Sequence, residues 1–224
     1  MLVVLFTTSW RNWEDCTDSQ IRLMKHISDE HILGIHYWKH TTTPLGGPGK
    51  EAPSDIPLPL RSFKYKHSIT QQVPITHVTN IVAPIYYKMI STRIALDNAL
   101  ELFPDMPDDQ PILCMRPDVI IYNIHDFPKT VGANEYIGTW NTAHRQVCPI
   151  PEMGDALCLT TRGVLEKMLA IDLELIRKEF SGNGYFSEHY LYSILKQLEI
   201  NMTYDHRIKL ALMRDQGKIY NLTL

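Results

Sequence analysis

Apolar residues in this chain come in short unbroken runs, separated by stretches in which they recur at helical spacing. Leu2–Phe6 is an apolar run rich in β-branched residues, the mark of a strand buried on both faces. From Thr17 to Ile27, Ile21, Met24 and Ile27 share one stripe, which predicts a helix capped by Thr17 or Asp18. His31–Trp38 is a second strand-like run. The order β-α-β favours parallel strands and an α/β fold. Thr41–Leu60 then breaks the pattern with five prolines and three glycines, and reads as a mobile surface loop within one domain.

The longest helical signal runs from Asn80 to Phe103. Ile85, Met89, Leu96, Leu100 and Phe103 recur along it, Pro84 suits its first turn, and Pro104 ends it. Ile112–Met115 is a short buried strand, and strand character resumes at Val119–Tyr122. Asn123–Met153 is irregular. Asp155–Leu159 reads as a strand, and Thr161 caps a helix expected to reach about Phe180, where Ser181-Gly-Asn-Gly184 stops it. Ser187 caps another helix to about Ile200, with late strands at Tyr204–Met213 and Ile219–Leu222.

Length and charge narrow the class. A chain of 224 residues with 44% hydrophobic and 21% charged residues suits one folded domain, 1–224, and argues against disorder. The net charge of −3 offers no basic surplus for phosphate backbones, so nucleic acid is not an expected partner. Cys16, Cys114, Cys148 and Cys158 form no C-x-x-C pair and read as buried free thiols of a reducing compartment. The N-terminal apolar run is too short for a signal peptide or a membrane span, which makes a cytoplasmic location the expectation.

Several familiar sites are missing: no P-loop, no G-x-G-x-x-G and no G-x-S-x-G elbow occurs. His36 and His40 stand four apart on a predicted strand, a spacing that makes no metal face. The informative group is Arg116-Pro117-Asp118, delivered to the carboxyl end of a buried strand, where open α/β sheets bind ligands. One carboxylate plus phosphate oxygens suffices for Mg²⁺ or Mn²⁺, and the arginine could pair with a diphosphate directly. The same two residues could simply pair with each other and close a turn. On the preceding helix, Tyr87, Lys88 and Ser91 make a polar stripe that either faces solvent or borders a nucleotide.

The order of these pieces resembles the GT-A glycosyltransferases, and among them the WavE-like lipopolysaccharide and capsular-polysaccharide group and small glycosyltransferase domains of large algal DNA viruses. The resemblance rests on Tyr87-Lys88-Met-Ile-Ser91-Thr92, Met115-Arg116-Pro117-Asp118-Val119, Gly154-Asp155-Ala-Leu and Glu188-His189-Tyr-Leu. It implies a mixed, mostly parallel central sheet flanked by helices, with a nucleotide-sugar-binding half (1–122) and an acceptor-side half (123–224). It further implies a nucleotide-sugar donor, UDP by family habit, and Mn²⁺ or Mg²⁺ at a D-x-D position. Here arginine replaces the first acidic residue, so Asp118 would be the single metal carboxylate, and Arg116 could neutralise the diphosphate without an ion. Thr7, Thr8, Ser9, Trp10 and Arg11 would cradle the nucleotide with Tyr87, Lys88, Ser91 and Arg116. Asp155 is the implied general base for an inverting transfer, with Glu152 and Glu188 in reserve. Trp140, His144, Arg145 and Glu188 fall on the acceptor side, where a saccharide or glycan would bind. Polysaccharide-building enzymes often work beside lipid-linked acceptors, which leaves peripheral membrane association open.

Two other classes compete. A nucleotidyltransferase would want clustered carboxylates and a methyltransferase a glycine-rich first turn; neither is found. A non-catalytic sugar- or nucleotide-binding module with a decayed D-x-D remains compatible with Arg116.

Overall fold

The computed structural model describes residues 1–7, 13–39, 54–71, 83–139, 156–172, 187–204, 209–213 and 219–221. Its strands are β1 (Leu2–Phe6), β2 (His31–Trp38), β3 (Lys64–Thr70), β4 (Pro111–Met115), β5 (Val119–Ile121), β6 (Glu135–Gly138), β7 (Leu157–Thr161), β8 (Asn201–Tyr204), β9 (Leu210–Met213) and β10 (Ile219–Asn221). The helices are α1 (Trp13–Ile27), α2 (Ala83–Leu102), α3 (Arg162–Leu169) and α4 (Ser187–Gln197). Seven strands form one sheet in the order β3-β2-β1-β4-β7-β6-β8, while β10-β9-β5 form a small antiparallel sheet. In the large sheet only β7 runs against its neighbours. This is the α/β class and the mixed, mostly parallel sheet that the GT-A resemblance implies. Among the described residues no helix is long and apolar enough to cross a membrane.

Alternation along the strands divides the core in two. Leu2, Val4 and Phe6 of β1 join Trp13, Leu23 and Met24 of α1 in one cluster. Val3 and Leu5 join Ile85, Ala95, Leu96 and Ala99 of α2 in the other. A strand with period-two side chains and helices on both sides must be apolar at every position, which is why β1 reads as an unbroken run.

The helices and edges depart from the sequence reading in instructive ways. α1 begins at Trp13, so Thr17 is no cap; its hydroxyl donates to the Trp13 carbonyl inside the helix at 2.7 Å. α3 does start on the Thr161 cap, which accepts from Val164 N–H, but ends at Leu169 instead of near Phe180. Its last turn tightens through Ile171 N–H to Met168 O (3.4 Å), and Ile171 folds back onto the second core cluster. Tyr204–Met213 holds two strands: Tyr204 ends β8 in the large sheet, and Leu210–Met213 is β9 in the small one. β3 is polar because it lies at the sheet edge, where Lys64 reaches the Leu102 carbonyl and Lys66 pairs with Glu101 at the end of α2. β6 lies within the stretch expected to be irregular. At the end of the expected loop 41–60, Ile56 and Leu60 are buried in the core and Leu58–Ser62 forms a 3-10 turn. Residues 41–53 lie outside the described residues.

α2 rests on β2 at Gly34. A Cβ there would run into the Ala95 carbonyl oxygen and come within 2.9 Å of Ala99 Cβ and 3.0 Å of Leu5 Cδ2. The obstruction is helix backbone, which cannot rotate away. Gly34→Ala is therefore expected to destabilise the fold by roughly 3 kcal/mol, measured by urea unfolding; an unchanged midpoint would show that α2 does not sit this close.

Candidate functional site

From β1 the chain moves outward to β2 and β3, and α2 then brings it back to β4 on the other side of β1. The strand order reverses between β1 and β4, and ligands of such sheets bind outside the carboxyl ends at that point. Thr7 follows β1 and Arg116 follows β4. They are neighbours: Thr7 N–H donates to the Met115 carbonyl at 3.2 Å, and Arg116 N–H donates to Ala156 O at 3.0 Å.

The Arg116-Pro117-Asp118 turn is held from beneath by a glutamine. Gln20 of α1 is fully buried, and its side-chain N–H₂ lies 3.3, 2.9 and 3.1 Å from the carbonyls of Arg116, Pro117 and Val119. The Trp13 indole N–H donates to the Gln20 carbonyl oxygen at 2.9 Å, which fixes the amide's orientation. Ser19 adds a hydroxyl that accepts from Ile121 N–H at 3.2 Å. Three carbonyls that leave the strand ladder thus find a partner inside the protein.

Within the turn, Arg116 Nε donates to Asp118 Oδ1 at 2.9 Å and Nη2 to Oδ2 at 2.8 Å. The Asp118 side chain is 1% exposed and that of Arg116 17%. The carboxylate is a buried support, and the guanidinium is the group that approaches solvent. Two of its five N–H donors serve Asp118. The carboxylate also bears on Cys16, whose thiol is pushed up to about 12 by burial first and then by Asp118, Asp15 and Glu14.

This geometry does not suit a divalent cation at Asp118. Both carboxylate oxygens already face a guanidinium, and a cation would have to displace it or meet its charge. Among the described residues, no group of three or more His, Cys, Asp or Glu could hold a metal ion.

α2 turns its polar residues in three directions. Tyr87 packs edge-on against Trp38 at the carboxyl end of β2, with ring centroids 5.6 Å apart. Lys88 lies close enough to Cys114 and Cys158 to favour their thiolates. Ser91 faces inward and is fully buried. Its Oγ lies 2.7 Å from His36 Nδ1, while His36 Nε2 lies 2.8 Å from Thr70 Oγ1. Ser91 therefore ties α2 to β2 beneath the strand ends, whereas the sequence reading placed it against the nucleotide. Trp38 is 6% exposed, and its indole N–H has no hydrogen-bond partner among the described residues. A groove of about 390 Å³ along α2 is lined mainly by Tyr86, Met89, Ile90, Arg93, Leu169 and Ile171, and takes in neither Arg116 nor Asp118.

The structure thus brings Thr7, Tyr87, Lys88, Arg116 and Asp118 to the carboxyl side of the sheet. Thr8, Ser9, Trp10, Arg11, Trp140, His144, Arg145, Glu152 and Asp155 lie outside the described residues. Glu188 is in the first turn of α4. Sequence reasoning passed over Gln20, although a glutamine between Cys16 and Leu23 at helical spacing was a visible signal of a buried amide. It also treated Trp38 only as a strand residue.

No family model matches the chain, and no curated protein matches it. Solved structures similar over most of its length include the following. A glycosyltransferase involved in glycosylation of the major capsid of PBCV-1 shares 7% identity at a TM-score of 0.45, covering 92% of this chain and 82% of that one. The galactosyltransferase LgtC, in complex with donor and acceptor sugar analogues, shares 12% identity at 0.39, covering 91% and 73%. The glycosyltransferase GlyE of Streptococcus pneumoniae TIGR4 shares 11% identity at 0.43, covering 91% of this chain but 45% of that one.

Burial lowers the His36 pKa from 6.5 to about 4, so the folded protein holds a neutral ring. Between those values the unfolded chain takes up a proton that the folded chain refuses. His36 thus contributes fully above pH 6.5, and its contribution falls as pH drops toward 4, by roughly 3 kcal/mol in all. Urea unfolding across this window should show a shallower pH dependence for His36→Gln than for the wild type; equal slopes would contradict the assignment.

Proposed function

We propose that the protein is a glycosyltransferase that moves a sugar from a nucleoside-diphosphate donor, a UDP-sugar, to a hydroxyl of a saccharide or glycan acceptor. One observation carries the reading. At the strand-order reversal, a guanidinium is braced by a buried carboxylate and presented beside the end of β1. A fixed cation there meets the charge that develops on a departing diphosphate, and it costs no reorganisation during reaction.

The breaking bond joins the anomeric carbon to the diphosphate oxygen, and its electron pair leaves with the nucleotide. Arg116 stabilises that anion, supported by Lys88 and Arg11. Thr7, Thr8, Ser9 and Trp10 flank the nucleotide, Tyr87 stacks on the base, and the indole N–H of Trp38, without a partner among the described residues, donates to a base carbonyl. Asp155 removes the acceptor proton, giving inversion; the next residue, Ala156, accepts the Arg116 N–H and ties the two segments together. Trp140, His144, Arg145 and Glu188 line the acceptor. In this reading Arg116 takes the part of a Mn²⁺ or Mg²⁺ ion, and Asp118 positions it. A cytoplasmic site of glycan or polysaccharide assembly, beside a membrane, is the setting that suits such an acceptor.

A second reading keeps donor binding without transfer. It is favoured by the closed Arg116–Asp118 pair, which satisfies itself without substrate.

Turnover distinguishes the two. Incubation with UDP-sugars and oligosaccharide acceptors should release UDP only when both are present. Asp155→Asn should lower kcat by about a hundredfold or more with little change in donor KM. Full activity in that variant would remove Asp155 as base. Bound UDP-sugar with no turnover under any acceptor would favour the binding module.

A further inference from the structure

Cys114 of β4 and Cys158 of β7 stand directly opposite each other in an antiparallel pair. The ladder's parity is set by Arg116 N–H to Ala156 O and Arg162 N–H to Gln110 O, both 3.0 Å. Those bonds mark every second pair as hydrogen-bonded, and Cys114–Cys158 falls on that count. Cα atoms in such pairs stand about 5.5 Å apart, inside the range that disulfides span, and Cβ atoms about 5.5 Å apart against a span of about 3.5–4.5 Å, so closure must draw β4 and β7 together by about 1 Å. Both side chains point to the α2 side of the sheet, 7% and 5% exposed within the second core cluster. The two thiols hydrogen-bond to each other, Tyr136 from β6 hydrogen-bonds to Cys158, and Lys88 faces both from α2.

We propose that Cys114 and Cys158 are a redox-active dithiol that closes to a cross-strand disulfide in the folded protein when a hydroperoxide is supplied. The roles follow from the hydrogen bonding. The two thiols hydrogen-bond each other, and Cys158 also hydrogen-bonds Tyr136, which favours the thiolate at Cys158. Cys158 as thiolate attacks one peroxide oxygen, the O–O bond breaks, and hydroxide (or alkoxide) leaves with the electron pair. The Cys158 sulfenic acid is then attacked by Cys114, the S–S bond forms, and water departs. Two thiols lose two electrons and the peroxide gains them. Hydrogen peroxide is a small oxidant, both cysteines keep a few per cent of their surface exposed, and the partner thiol stands within hydrogen-bond reach. Cys16 lies elsewhere, on α1, with its pKa pushed up to about 12, and serves as an internal comparison. The resulting bond fastens β4 to β7 two residues before Arg116, and the proposal holds whether or not the protein transfers sugars.

The test uses the full folded chain. It is treated with hydrogen peroxide, remaining thiols are blocked with N-ethylmaleimide, and it is digested without reduction for mass spectrometry. The expected product is a Cys114–Cys158 linked peptide, absent before treatment and lost with dithiothreitol, while Cys16 stays alkylated. In Cys114→Ser, dimedone should trap a sulfenic acid on Cys158. The wild-type map decides the matter if that variant fails to fold. Cys114 and Cys158 recovered unlinked after oxidation, or linked instead to Cys16 or Cys148, would overturn the proposal.

Discussion

The side-chain amide of Gln20 is the interaction on which the site depends. It sits on a helix between apolar neighbours, wholly out of water, and spends its donors on the carbonyls of the Arg116–Val119 turn. Without it, the Pro117 and Val119 carbonyls would lose this partner at the point where β4 leaves the sheet, at a cost of about 1–3 kcal/mol each, while the Arg116 carbonyl would keep the Val119 N–H. Trp13 completes the arrangement by donating its indole N–H to the amide oxygen. A turn so anchored gives Arg116 a fixed origin, and Asp118 then fixes its direction.

The same logic recurs on the opposite face. α2 is joined to the sheet by apolar packing and by polar ties: Ser91 to His36, and Asn98 to the Ile35 carbonyl. Each tie is buried, so each is demanding about geometry. The Gly34 contact brings the helix close enough for those bonds to form. Lys88 and Tyr87, one turn from Ser91, inherit their positions from it. The site is therefore assembled from two rigid halves, α1 with the β4 turn and α2 with β2, that meet where the strand order reverses.

Much of this was legible in the sequence. The unbroken apolar runs of β1, β2 and β4 announce strands covered on both faces, and Arg116-Pro117-Asp118 at the end of such a run announces a charged turn at the carboxyl end of the sheet. The pairing of Arg116 with Asp118 was one of the alternatives the residues themselves left open. Other parts were hidden for physical reasons. β3 is an edge strand in which Tyr65 and Ile69 alternate with Lys64, Lys66 and Ser68, too few apolar residues to stand out as a run. On α2 the inner face mixes Ser91, Ala95 and Asn98 with Leu96, so a count of hydrophobic residues assigns Ser91 to the wrong side. Its true partner, His36, is a buried polar residue in an apolar strand, and only the fold brings the two together. The closure of α3 at Leu169 reflects Ile171 packing back on the core, a tertiary effect that local pattern does not carry.

The central claim is that a guanidinium, oriented by a buried carboxylate, binds a nucleoside diphosphate at this position. Calorimetric titration of UDP into the protein, in chelator and in Mn²⁺, with the wild type and Arg116→Met side by side, tests it most directly. The account predicts binding in chelator that Mn²⁺ changes by less than about threefold, and a loss of roughly tenfold or more in Arg116→Met. Binding that requires the metal and is indifferent to the loss of Arg116 would contradict it.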